Sequence, residues 1–212
     1  MQIKNPRRKK QIEKFIDKDH KVMRKYYNFI DSVIFENELE KEMRRLIEED
    51  KDFYDSYIMV ADILFLDEKE KEGMATLRNA YKRAVMRIAD SQGRWPKEMK
   101  WGFLQNRHLM RIIERYGLSC WKAGDINQAL DIFRRLLRMN PGDNQGARHI
   151  ILAIRMGLSP NSWQKPFEVK DKGVVYGLDA GKLCDWFNKN VKKFPKDFDW
   201  LFERRDEEEK MD

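Results

Sequence analysis

The sequence predicts a mainly all-α protein, a right-handed α-α superhelical solenoid of helical hairpins with a small C-terminal appendage. Three observations lead there. Apolar residues recur at three- and four-residue spacing through most of residues 20–157, the mark of helices with one buried stripe. Helix caps and stop signals punctuate those stripes at short intervals. The composition, 37% charged with only six prolines and 42% hydrophobic residues, suits helices that bury one face and solvate the other.

Residues 1–19 read as a basic arm. Ile12, Phe15 and Ile16 offer a weak apolar side, and the cluster Arg7-Arg8-Lys9-Lys10 offers sequence-independent attraction for phosphate. A solvated, frayed terminus is the expectation. Residues 1–26 hold ten Lys/Arg against three Asp/Glu, leaving 33 of each in the remainder, so the net charge of +7 belongs to this end of the chain.

The helical repeat region runs over residues 20–157. Its first helix buries Val22, Met23, Tyr26, Tyr27, Ile30, Val33 and Ile34. Asn37 with Glu40 resembles a capping box, and Leu39, Met43, Leu46 and Ile47 form the buried side that follows. Asp52 is expected to cap a third helix that points Phe53, Tyr57, Val60, Ala61 and Leu64 inward. Beyond the charged turn Asp67–Glu72, a fourth helix buries Met74, Leu77, Tyr81, Ala84, Val85 and Ile88. Residues 91–102, with two glycines, a proline and two tryptophans, interrupt the pattern as an insertion in which Trp95 and Trp101 pin the loop to the core.

The stretch 109–141 is the clearest unit. Leu109, Ile112, Ile113, Tyr116 and Cys120 make one buried stripe, with Gly117 on the same face. Gly124 stops that helix and Asp125 caps the next, which buries Ala129, Leu130, Phe133, Leu136 and Leu137 before Asn140-Pro141 ends it. Asp143 then caps a helix carrying Ala147, Ile150, Ile151 and Ile154, a lid for the end of the stack, closed by Gly157. Residues 158–212 form the appendage. Phe167–Val169 and Val174–Tyr176 flank a turn and predict a small hairpin. Asp179 opens a helix with Leu183, Trp186, Phe187 and Val191, and Phe198, Leu201 and Phe202 share one face of a last helix.

Gly117, Gly124, Ala129, Phe133 and Pro141 give the stretch a resemblance to the tetratricopeptide repeat, a helix-turn-helix unit of about 34 residues. The chain departs from the family where consensus places Trp, Leu and Tyr, at Ile113, Tyr116 and Cys120. The resemblance implies stacked hairpins whose first helices line a concave groove. Carried over by face, that groove holds Asp55, Asp62, Arg107, Arg111, Leu118, Trp121, Gln145, Arg148 and Arg155, with Ile58, Phe65, Glu114 and Leu152 beside them. The carboxylate-binding members use a Lys/Asn set, and this chain has Arg111, Glu114 and Leu118 along that helix instead.

Nothing points to catalysis. His20, His108 and His149 are isolated in sequence, the latter two read as helix-surface residues, and no HExxH, phosphate-binding glycine loop or GxSxG elbow is present. Cys120 lies on a buried stripe, and two cysteines are too few for a disulfide framework or a four-ligand zinc site. No catalytic residue, cofactor or metal is therefore expected. No apolar run reaches a membrane span, no apolar segment follows the N-terminal charges, and a reduced cytoplasm is the expected home. The expected function is a non-catalytic adaptor or scaffold that binds a peptide or partner protein, a second copy of the chain among the candidates. The alternative is a nucleic-acid-associated protein using the basic arm with Trp95 and Trp101 as stacking platforms.

Overall fold

A computed structural model describes residues 10–32 and 36–209, with side chains described for 10–32 and 38–204. Among these, the chain is mainly helical, with one small two-stranded antiparallel sheet. The helices are α1 (Lys21–Ile30), α2 (Glu36–Glu49), α3 (Asp55–Leu66), α4 (Glu70–Ile88), α5 (Leu104–Lys122), α6 (Ile126–Met139), α7 (Ala147–Arg155), α8 (Ala180–Asn190) and α9 (Pro195–Glu209). The strands are β1 (Glu168–Asp171) and β2 (Val174–Leu178). No helix among the described residues is long and apolar enough to cross a membrane. Arg7, Arg8, Lys9, Val33, Ile34 and the Asn37 cap lie outside what is described.

The chain divides into two compact units: residues 1–116 with 138–140, and residues 117–137 with 141–212. In the first, Val22, Met43, Leu46, Phe53, Val60 and Leu64 form a continuous apolar cluster, with Met23, Tyr26, Phe29, Leu39, Ile47 and Met59 packed around it. Helices α3 and α4 approach closely at Gly73, where an added Cβ would lie 2.6 Å from the Phe65 ring. Phe65 thus packs between helices and does not line a groove. Tyr27 and Ile30, expected inside, are exposed on α1, and the Tyr27 hydroxyl accepts a bond from Arg111 at 2.8 Å.

Residues 10–19 correct the frayed-arm expectation. Phe15 N–H donates to the Glu98 carbonyl at 2.9 Å, while Lys97 and Glu98 N–H donate to Ile12 and Glu13 at 2.9 and 3.0 Å. Lys14 and Glu98 make an isolated parallel bridge. Gln11 donates to the Trp95 carbonyl, and the Asn106 side chain accepts from Asp17 N–H and donates to the Phe15 carbonyl. The segment is extended and not helical, because the interruption at 95–99 supplies the backbone partners it lacks. Trp95 is buried beneath it, as the packing reading expects.

In the second unit, Gly117 lets α5 and α6 meet: an added Cβ would lie 3.0 Å from both Ile132 and Phe133. Gly124 takes a positive φ of 82° at the turn, and the Asp125 side chain accepts from Gln128 N–H, the predicted stop and cap. Asp143 serves α7 from a distance, its carboxylate accepting from Ala147 and Arg148 N–H. Asp52 departs from expectation. Helix α3 starts at Asp55 without a side-chain cap, and the Asp52 carboxylate faces Arg83 and Arg87 instead.

The hairpin forms at the predicted place, turning through Lys172 and Gly173 with positive φ at both and a register irregularity after Val169. Asp179 caps α8 by accepting from Lys182 N–H. The apolar face of α9 is covered within its own unit. Phe198 and Leu201 are buried, Phe198 meets Phe187 edge to face at 5.3 Å, and Asp197 pairs with Arg134 and Arg155.

Candidate functional site

The first unit contains a cleft of about 970 Å³ between α1 and the start of α5, lined by Asp19, His20, Met23, Arg24, Tyr27, Asn28, Leu104, Arg107 and Arg111. Spacing on α1 sets one wall: Met23, Arg24, Tyr27 and Asn28 are one helical turn apart and share a face. Leu104, Arg107 and Arg111 do the same on α5. Arg111 is committed, its Nε and Nη2 gripping the Asp55 carboxylate and its Nη2 also reaching the Tyr27 hydroxyl. Arg107 donates Nε–H to the Trp101 carbonyl at 3.0 Å and lies over the Trp101 ring, 5.2 Å from its centroid.

The floor beside His20 is a buried ionic network. His20 Nδ1 lies 2.7 Å from Asp50 Oδ2 and its Nε2 lies 3.1 Å from Asp17 Oδ2. With a carboxylate at each nitrogen, both nitrogens donate, so the ring is an imidazolium. Burial opposes that charge, but the bonds to Asp17 and Asp50 outweigh it and the pKa is raised. Burial alone would raise the Asp17 pKa; His108, His20 and Arg87 facing its carboxylate hold it well below the usual range instead. Arg87 grips the same carboxylate, Nε to Oδ1 at 2.8 Å, and reaches Asp52 with Nη1.

Asp17, His20 and His108 form a group whose donor atoms lie close enough to hold a metal. The arrangement does not fit one. His108 Nδ1 accepts the Tyr54 backbone N–H at 3.2 Å, so its proton sits on Nε2, 3.2 Å from Asp17 Oδ2 though off the line of a good hydrogen bond. A protonated nitrogen offers no lone pair to a cation. Burial lowers the His108 pKa and keeps the ring neutral. His20 faces a carboxylate at each nitrogen and so keeps no free lone pair for general-base work.

The predicted groove residues divide between the units. In the first, Asp55 and Arg111 pair with one another, Asp62 pairs with Arg115, and Arg107 with Arg111 lines the cleft. In the second, Trp121 and Leu152 are buried, a correction of their groove role: Trp121 packs 6.4 Å from Trp163. Arg148 faces Asp143 and lies over Phe187, Arg155 pairs with Asp197 over Phe194, and Leu118 and Gln145 are half-buried. These arginines serve their own unit's packing.

His108 and His149 are buried, not at helix surfaces. The α1 side of the cleft, Arg24 and Asn28 above all, escaped the sequence reading, which used the first helix only for its buried stripe. The one available signal was Asp17-x-x-His20, a pair three residues apart at the start of a helix. Comparison with known proteins adds no relative: no family model, no curated protein and no solved structure matches the chain.

Proposed function

We propose that the chain is a non-catalytic interaction module, built on tetratricopeptide-like helical hairpins, and that the α1/α5 cleft takes an extended segment of a partner protein. The observation that carries this reading is the cleft itself: an open trough with apolar Met23, Tyr27 and Leu104 along charged Arg24 and Arg107. Such a mix of anchor and charge is what a peptide site needs, and pockets of this size belong to ligands of that scale. The absence of catalytic work is supported by the chemistry of the neighbouring His20, both of whose nitrogens face carboxylates of its own unit.

Site-specific photocrosslinking tests it. A benzophenone side chain at Asn28 should trap a protein segment from native extract, whereas the same group at exposed Asn161 should not. Equal capture from both positions, or a nucleic acid trapped at Asn28, would contradict the reading.

A further inference from the structure

We propose that the group recognised in the cleft is a carboxylate of the partner segment, held between Arg24 and Arg107. This rests on the reading of the cleft as a peptide site. The charged lining is Arg24, Arg107, Arg111, His20 and Asp19. Arg111 is spent on Asp55 and Tyr27, and His20 is shared between Asp17 and Asp50. Arg24 is exposed and forms no ion pair or hydrogen bond among the described residues. Arg107 gives only Nε–H, to a carbonyl, and has no carboxylate partner among them. Asp19 stands against these two, held by Gln105 Nε2 at 2.7 Å.

Two uncommitted guanidiniums against one carboxylate leave a surplus of one positive charge. That surplus matches one carboxylate; a run of phosphates needs more cations than the cleft supplies. The Trp101 ring and the Nε bond to its carbonyl hold Arg107 in advance, so less side-chain entropy is lost when a planar, bidentate acceptor arrives. The apolar part of the segment lies along Met23, Tyr27 and Leu104, of which Leu104 is 58% exposed and Tyr27 41%.

Either an Asp/Glu side chain or a chain terminus supplies the carboxylate, and a peptide-display selection on the full chain separates the two. Random dodecapeptides are offered once with free C-termini and once with the C-terminus blocked by fusion. Side-chain recognition enriches Asp/Glu in both formats; terminal recognition yields binders only in the first. A selected peptide is then measured by fluorescence anisotropy against the wild type, Arg24→Glu, Arg107→Glu and the exposed control Arg78→Glu. Circular dichroism confirms that each variant is folded.

Arg24→Glu and Arg107→Glu, and neutralising the peptide carboxylate by Gln/Asn substitution or amidation, should each weaken binding about tenfold or more. Arg78→Glu should leave it unchanged. If neutralised peptides and both cleft variants bind as the wild type does, while amides of α1 and residues 104–111 still shift on binding, the carboxylate is refuted and the peptide site stands. If no selected peptide moves those amides, both readings fall. A single-stranded DNA oligonucleotide that binds more tightly than any selected peptide, with a steep loss in salt, would replace both.

Discussion

The two units solve the same packing problem with different chemistry. The first buries charge: Asp17 and His20, nearly inaccessible beside the neutral His108, tie residues 17–20 to α5, and Arg87 adds α4. The second buries rings: Trp121, Trp163 and Phe167, with half-buried Trp186, lie within 5.4–6.4 Å of successive neighbours, and His149, Phe187 and Phe198 continue edge to face. Its buried histidine, His149, meets the Arg148 guanidinium where His20 meets two carboxylates. The difference teaches where each unit is brittle. A charged network fails when one member is removed, because the others stay buried and unpaired. An aromatic core fails by volume.

The largest effects break each unit at its own weak point. Asp17→Ala should cost about 3–5 kcal/mol in urea melts, since it leaves His20 Nε2 buried without a partner and Arg87 with Asp52 alone. Adding Arg87→Met should recover part of that loss. Phe133→Ala should also cost about 3–5 kcal/mol, by lost burial and a cavity, and no change of charge elsewhere should recover it. Losses under about 0.5 kcal/mol for either, the range of surface sites, would mean that the side chain is not where the account puts it.

Acidity separates the two histidines. The His20 pKa is raised above 6.5 in the fold, so its stabilisation is fully present below about pH 6.5 and is lost as pH climbs through the folded value. His149 is lowered to about 4, first by burial and then by Arg148, so stability falls as pH drops from 6.5 towards 4, by about 3 kcal/mol at most. His108, also lowered by burial, adds to that acid loss. Stability should therefore peak near pH 6.5. His20→Gln should flatten the alkaline limb and His149→Gln should flatten part of the acid limb, both read from urea midpoints. Unchanged limbs in both variants would contradict the assignments.

Smaller effects sharpen the packing half of the comparison. Gly117→Ala should overpack the α5/α6 contact and cost about 1–3 kcal/mol, because the new methyl meets Ile132 and Phe133 at 3.0 Å. Gly173→Ala places a side chain at φ 84° in the hairpin turn and should cost about 1 kcal/mol, with loss of hairpin amide protection. A neutral result at either position would show that the backbone there relaxes freely.

Helices were legible because a period of three to four survives in any helix with one wet face. Gly117, Gly124, Asp125 and Asp179 announced their roles by residue type, and the hairpin by its turn. The polar network was not legible. Asp17 and His108 are far apart in sequence, and nothing local to His108 marks it as buried; its neighbour Arg107 suggested the opposite. Asp52 looked like a cap and is an ion-pair partner, since side-chain acceptors serve both uses. The groove arginines were placed on the correct helices, but which of them already had acids was decided by three-dimensional neighbours: Arg111 by Asp55, Arg155 by Asp197.

Everything distinctive about the first unit, the cleft wall included, depends on residues 10–20 being an integral part of it. Native-state hydrogen exchange at the Phe15, Asp17, Lys97 and Glu98 amides measures that directly, since each donates to a partner across this junction. In the wild type they should exchange as slowly as amides in the middle of α4, and Asp17→Asn should release Phe15 and Lys97 before α4 opens. Exchange of these four amides at the rates of an unfolded peptide would contradict the account.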